Sequence, residues 1–119
     1  MMPNMEALAA AQRRNIEALS TANRVALEGA QAVARRHMEI MQSSVAEMTE
    51  MMKAFSTADA PQDKAAKQAE LAKATYEKAV GNLQEIADLI QKSNSEALAV
   101  LNKRFAEAMD EVKGLSTKG

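Results

Sequence analysis

The sequence predicts an all-α protein, in which two long amphipathic helices form an antiparallel hairpin with eleven-residue repeats and self-associate into a helical bundle or coiled coil. Three observations lead there. Residues 5–59 align five times in rows of eleven: MEALAAAQRRN, IEALSTANRVA, LEGAQAVARRH, MEIMQSSVAEM and TEMMKAFSTAD. Eleven residues make three turns at about 3.67 residues per turn, so each column of that alignment runs along one helix face. One break, STADAP at 56–61, divides the chain, and the second half keeps the period with Glu85, Glu96 and Glu107. The 119 residues are 47% hydrophobic but only 3% aromatic, with no tryptophan and much alanine, which is too little bulk for a globular core.

The first helix is expected over 4–56. Asn4 is suited to cap it, and Glu6 complements the helix dipole in the first turn. Glutamate then fills the second column of every row, at Glu6, Glu17, Glu28, Glu39 and Glu50. Arg13, Arg24 and Arg35 lie beside that column, so the two together form an alternating ladder characteristic of a solvated face. The turn is expected over 57–61. Asp59 and Gln62 there have the spacing of a capping box, and Pro61 is tolerated only in the first turn of the second helix. That helix is expected over 62–113 and the frayed tail over 114–119, with Gly114 as the C-cap, the whole chain forming a single domain. Each helix of about 52 residues would extend near 80 Å at about 1.5 Å per residue.

Folding the chain at the break sets the apolar columns of the two halves against each other. Leu8 then faces Met109, Ile16 faces Leu101, Leu19 faces Leu98, and Leu27 faces Ile90. Further pairs are Met5 with Val112, Gln12 with Phe105, Ala34 with Leu83, and Met41 with Tyr76. In the same register Asn23 meets Asn94, a polar layer of the kind that fixes register at some cost in stability.

The charges argue against several functions. Fifteen basic and sixteen acidic residues alternate along the chain, leaving no basic patch for nucleic acid and no basic polar face for a membrane-surface helix. There is no cysteine, so disulfide and thiolate chemistry are excluded. The segment MMPNMEALAAAQRRN lacks the apolar core of a secretory signal, and no window approaches the roughly 18 apolar residues of a membrane span. A cytoplasmic location is therefore expected. His37 is the only histidine, at the edge of the apolar stripe and opposite Val80, and no convergent titratable group accompanies it. The sequence implies no enzyme, no cofactor and no metal. Gly29 and Gly81 stand alone inside helices and form no phosphate-binding loop.

The informative feature is methionine. Five of the nine methionines, Met38, Met41, Met48, Met51 and Met52, fall in one stretch together with Ile40, Val45 and Phe55. Methionine is flexible and polarizable, which suits a surface that must fit an irregular apolar partner. Ile40 and Met51 lie off the line expected to face the second helix, so the apolar arc is wider than one partner helix covers. This stretch is the candidate face for polymer binding or self-association.

Asn15 to Gln42 and Ser93 to Leu115 resemble the phasin family, bacterial proteins that coat polyhydroxyalkanoate storage granules, and the match is best to the alphaproteobacterial type. The distinctive segments are Glu-Gly-Ala-Gln-Ala-Val-Ala-Arg-Arg at 28–36 and Leu-Asn-Lys-Arg at 101–104. The resemblance implies a non-enzymatic amphipathic coat at the surface of polyhydroxyalkanoate (polyhydroxybutyrate) granules that controls their size and limits coalescence. It also implies self-association and a link to the granule's polyester synthase or depolymerase; by the pattern of the apolar stripes, a homo-oligomer from dimer to tetramer would satisfy them. The competing expectation is a cytoplasmic helical-hairpin scaffold or adaptor that binds only other proteins.

Overall fold

The structure, a computed structural model, describes residues 3–57 and 60–118. It is all-α, with α1 over Pro3–Ser56 and α2 over Pro61–Lys118 packed against each other. The end of α1 is satisfied without glycine. The Ser56 hydroxyl donates to the Lys53 carbonyl at 2.8 Å and the Thr57 hydroxyl to that of Ala54 at 3.0 Å, while Lys53 complements the dipole in the last turn. Pro61 opens α2, where its missing N–H leaves no bond unmade, and Asp63 stands in the first turn. The expected capping box involves Asp59, which lies outside the described residues.

The far end of α2 differs from expectation. Gly114 does not cap the helix, which continues to Lys118, and no described glycine has a positive φ. A C-cap glycine terminates a helix by turning left-handed. Here Leu115 is partly covered and lines a hollow with Ala7, Leu8 and Ala11, so packing carries α2 past the glycine.

The fold divides into two units. The terminal unit joins Met1–Gln31 to Ile90–Gly119, and the turn unit is Ala32–Leu89. In the terminal unit the covered positions of α1 include Ala7, Ala11, Asn15, Ala18, Ala22, Val25 and Gly29, and those of α2 include Ser93, Ala97, Val100, Arg104 and Ala108. The face is built of small residues. A Cβ added at Gly29 would overlap the Ser93 side chain and stand 3.7 Å from the Ser93 Cα, so the glycine is what permits this approach. The Ser93 hydroxyl donates to the Val25 carbonyl at 3.4 Å.

This corrects the expected pairing face. Leu8, Ile16, Leu19, Leu27, Leu98, Phe105 and Met109 remain more than half exposed, as does Leu83 of the turn unit, and Ile90 is also exposed. Only Leu101 among these bulky pairing positions is partly covered. Asn23 and Asn94 are exposed as well, and the polar layer is formed elsewhere, by Asn15 and Arg104. Arg104 is 7% exposed, and its Nε donates to Asn15 Oδ1 at 2.6 Å. One Nη donates to the Ala11 carbonyl at 3.3 Å, and the fork grips Glu111 at 2.8 and 2.9 Å. Folding at the break would set Arg104 opposite residue 13, midway between these two α1 partners. At Arg104 the axial level matches that fold-back, whereas Gly29 meets Ser93 and Arg36 meets Glu85, four to five residues away from it, and the helices present a different side. The physical reason is that two helix backbones approach most closely over small side chains, and the bulky columns are left outside.

The turn unit is joined differently. Arg36 donates to Glu85 through Nε at 3.0 Å and pairs with it through Nη2 at 2.9 Å, while Nη1 holds Glu39 at 3.1 Å. The Glu85 hydrogen bond, then that of Glu39, raises the Arg36 pKa further above its already high value. Lys78 pairs with Glu47, which also accepts from the Ser43 hydroxyl at 3.2 Å. Lys64 lies over the Phe55 ring, 5.5 Å from its centroid.

Candidate functional site

The inner columns of α1 change in size along the helix. One reads Ala7, Ala18 and Gly29 and then Ile40 and Met51, and another reads Ala11 and Ala22 and then Val33, Ser44 and Phe55. Bulky side chains hold facing backbones apart. In the turn unit they line an open apolar groove of about 1160 Å³, with Ile40, Met48, Met51, Met52 and Phe55 on the α1 side. Leu71, Tyr76, Ala79, Leu83 and Ile86 line the α2 side, with His37, Ser44, Glu47, Gln68, Asn82 and Lys78 among the polar residues around it. Of the apolar residues only Ile86 is buried, whereas Met52 is 67% and Tyr76 71% exposed.

The groove collects five of the eight residues expected to form the apolar face. Met38, Met41 and Val45 are not among its lining residues. They instead form an exposed stripe with Met48 and Met52 at helical spacings of three and four. The α2 contribution was missed because α2 carries no comparable methionine run. The expected pairing nevertheless sets Tyr76 opposite Met41 and Leu83 opposite Ala34, which places these two across from α1, whereas Leu71 has no assigned partner. His37 is exposed and borders the groove without a described ion pair.

The terminal unit presents a second set of exposed apolar residues, Met5, Leu8, Ile16, Leu19 and Leu27 on α1 with Leu98, Phe105, Met109 and Val112 on α2. Arg104, which organises this unit, also escaped the pattern reading. Its signal was present: Leu71, Asn82, Ser93, Arg104 and Leu115 are spaced by eleven, with Glu107 and Glu111 one and two turns beyond the arginine. The hydrogen bond that Arg104 gives Glu111 leads the causes that keep that carboxyl below the usual carboxylate range. Arg14 adds a contact to Glu111 at 3.2 Å.

Among the described residues no group of His, Asp or Glu is arranged to hold a metal ion. No described helix is long and apolar enough to cross a membrane. The apolar part of the groove lining and the stripes are hydrocarbon, aromatic and thioether, which cover apolar surface through the hydrophobic effect and dispersion without directional demands.

A family model described as "Phasin protein" matches residues 6–105. Comparison with curated proteins and with solved structures gave no match.

Proposed function

The chain belongs to the phasin family, non-enzymatic proteins associated with polyhydroxyalkanoate granules, and from that premise we propose that it coats the granule surface in the cytoplasm and limits granule size and coalescence. The observation that carries this reading is the bulky apolar residues left outside the helix pairing. The groove and the methionine stripe of the turn unit form the contact face, with Met41, Met48 and Met52 at its centre. Adsorption there gains about 25 cal/mol per Å² of apolar area removed from water. An amorphous polyester offers no fixed pattern of donors and acceptors, and flexible thioethers adapt to such a surface better than branched side chains do. Away from polymer, the same residues are covered by association of two to four copies, so adsorption replaces helix partners with polymer. Contact with polyester synthase or depolymerase would use faces that remain outward.

The test is binding of the purified protein to amorphous polyhydroxybutyrate particles, with phospholipid vesicles and polystyrene beads in parallel. The wild type is expected to bind the polyester tightly, and the combined variant Met41→Gln, Met48→Gln, Met52→Gln to bind at least about tenfold more weakly at unchanged helicity. Equal binding by both would move the contact face elsewhere. Failure of both to prefer polyester would favour the helical scaffold that binds only proteins.

A further inference from the structure

Resting on the surface-coat reading, we propose that the methionine stripe of α1 is an oxidation site, and that conversion of its thioethers to sulfoxides by a peroxide releases the protein from apolar surfaces. Met38, Met41, Met48 and Met52 each expose more than 60% of their surface. They share one side of α1, so oxidation at any of them changes the same face. The chain contains neither cysteine nor tryptophan, which leaves methionine sulfur as its most readily oxidised group.

The reaction needs only an oxidant of the peroxide class. A sulfur lone pair attacks the outer peroxide oxygen, an S–O bond forms as the O–O bond breaks, and the leaving oxygen departs as water or an alcohol after taking up the proton. Sulfur is oxidised by two electrons and the peroxide is reduced by two. The product replaces a flexible apolar group by a polar, chiral one, and methionine sulfoxide reductases reverse it. Because these side chains are more than 60% exposed, Met48 and Met52 on the open groove included, and no described hydrogen bond ties them to α2, their oxidation changes the surface and leaves the helix pairing in place. Met51, partly covered in the groove, reacts more slowly than its neighbours.

The experiment treats the full chain with hydrogen peroxide, maps sulfoxides by peptide mass spectrometry, and monitors helicity by circular dichroism. Two surface readouts are then compared, adsorption to polyhydroxybutyrate particles and enhancement of anilinonaphthalene sulfonate fluorescence. A variant carrying Met38→Leu, Met41→Leu, Met48→Leu and Met52→Leu keeps the face apolar and cannot be oxidised there. Oxidised wild type should lose about tenfold or more in both readouts with helicity retained. The leucine variant should keep both readouts after peroxide even though Met5, Met51 and Met109 remain oxidisable in it, and the reductases should restore the wild type. Unchanged readouts after oxidation would overturn the proposal, as would an equal loss in the leucine variant or a loss that accompanies unfolding. If the untreated protein does not adsorb to polyester, the coat reading fails by itself, while the dye readout still decides whether oxidation removes the apolar face.

Discussion

Arg104 brings a five-donor guanidinium into a face otherwise made mainly of alanine, serine, glycine and valine, and it finds acceptors on both helices. Such a residue specifies register more than it adds stability, since sliding either helix would strand its donors away from water. Glu111 shares the effect through its acid dissociation. The hydrogen bond from Arg104 first, then the charges of Arg104 and Arg14, hold this carboxyl below its usual range against the opposing effect of burial. A carboxyl whose pKa is depressed on folding contributes stability that is present above its unfolded pKa and is lost as pH falls through the folded value. Glu111→Gln is therefore expected to be less stable than wild type at neutral pH. The difference should close as pH falls below the ordinary glutamate pKa of about 4.3 and through the depressed folded value. Urea titrations monitored by circular dichroism at a series of pH values check this, and a difference that stays constant with pH would remove Glu111 from the linkage.

Two helical glycines separate what an element needs from what its neighbour imposes. Gly81 has nothing within 4 Å of the position a Cβ would take, so Gly81→Ala should stabilise by about 0.5–1 kcal/mol through helix propensity. Gly29→Ala gains the same propensity but forces the Ser93 layer apart, and overpacking of about 1–3 kcal/mol should exceed the gain. Thermal melts should move in opposite directions, and Ser93→Gly should rescue the Gly29 variant; a stabilised Gly29→Ala would mean that the layer yields freely. The same contrast explains how much of each helix was legible. The eleven-residue period read from Glu6, Glu17 and Glu28 also governs the covered positions, since Ala7, Ala18, Gly29, Ile40 and Met51 recur at that spacing. Which column faces the partner was not legible from hydrophobicity. At about 98° per residue, the Ala7 and Ala11 columns lie roughly 165° and 130° from the column of Met5, Ile16 and Leu27, and each forms a consistent stripe. Bulk marked the outer face, and only close approach at Gly29 and the demands of Arg104 identify the inner one. Methionine enrichment pointed to the α1 wall of the groove, whereas its α2 wall depends on tertiary placement.

For the molecule as a whole, the near balance of fifteen basic and sixteen acidic residues bears directly on what attracts it to a surface. Several charges are matched locally, as in Arg24 with Glu28 at 3.9 Å and Lys53 with Glu50 at 3.8 Å, and both of these pairs are well exposed. Exposed pairs of this kind contribute little to stability, but they cancel the field at a distance. An apolar contact face on a chain of net charge -1 should therefore adsorb with little help from electrostatic steering. Between about 0.05 and about 0.5 M sodium chloride the Debye length falls from about 14 to about 4 Å. Adsorption to polyhydroxybutyrate particles should change by less than about twofold over that range, whereas a polybasic peptide on anionic vesicles loses most of its affinity. A steep fall in polyester binding with salt would instead assign the contact to lysine and arginine side chains meeting carboxylate chain ends. That outcome would displace the methionine stripe as the contact face even if the protein still bound the granule.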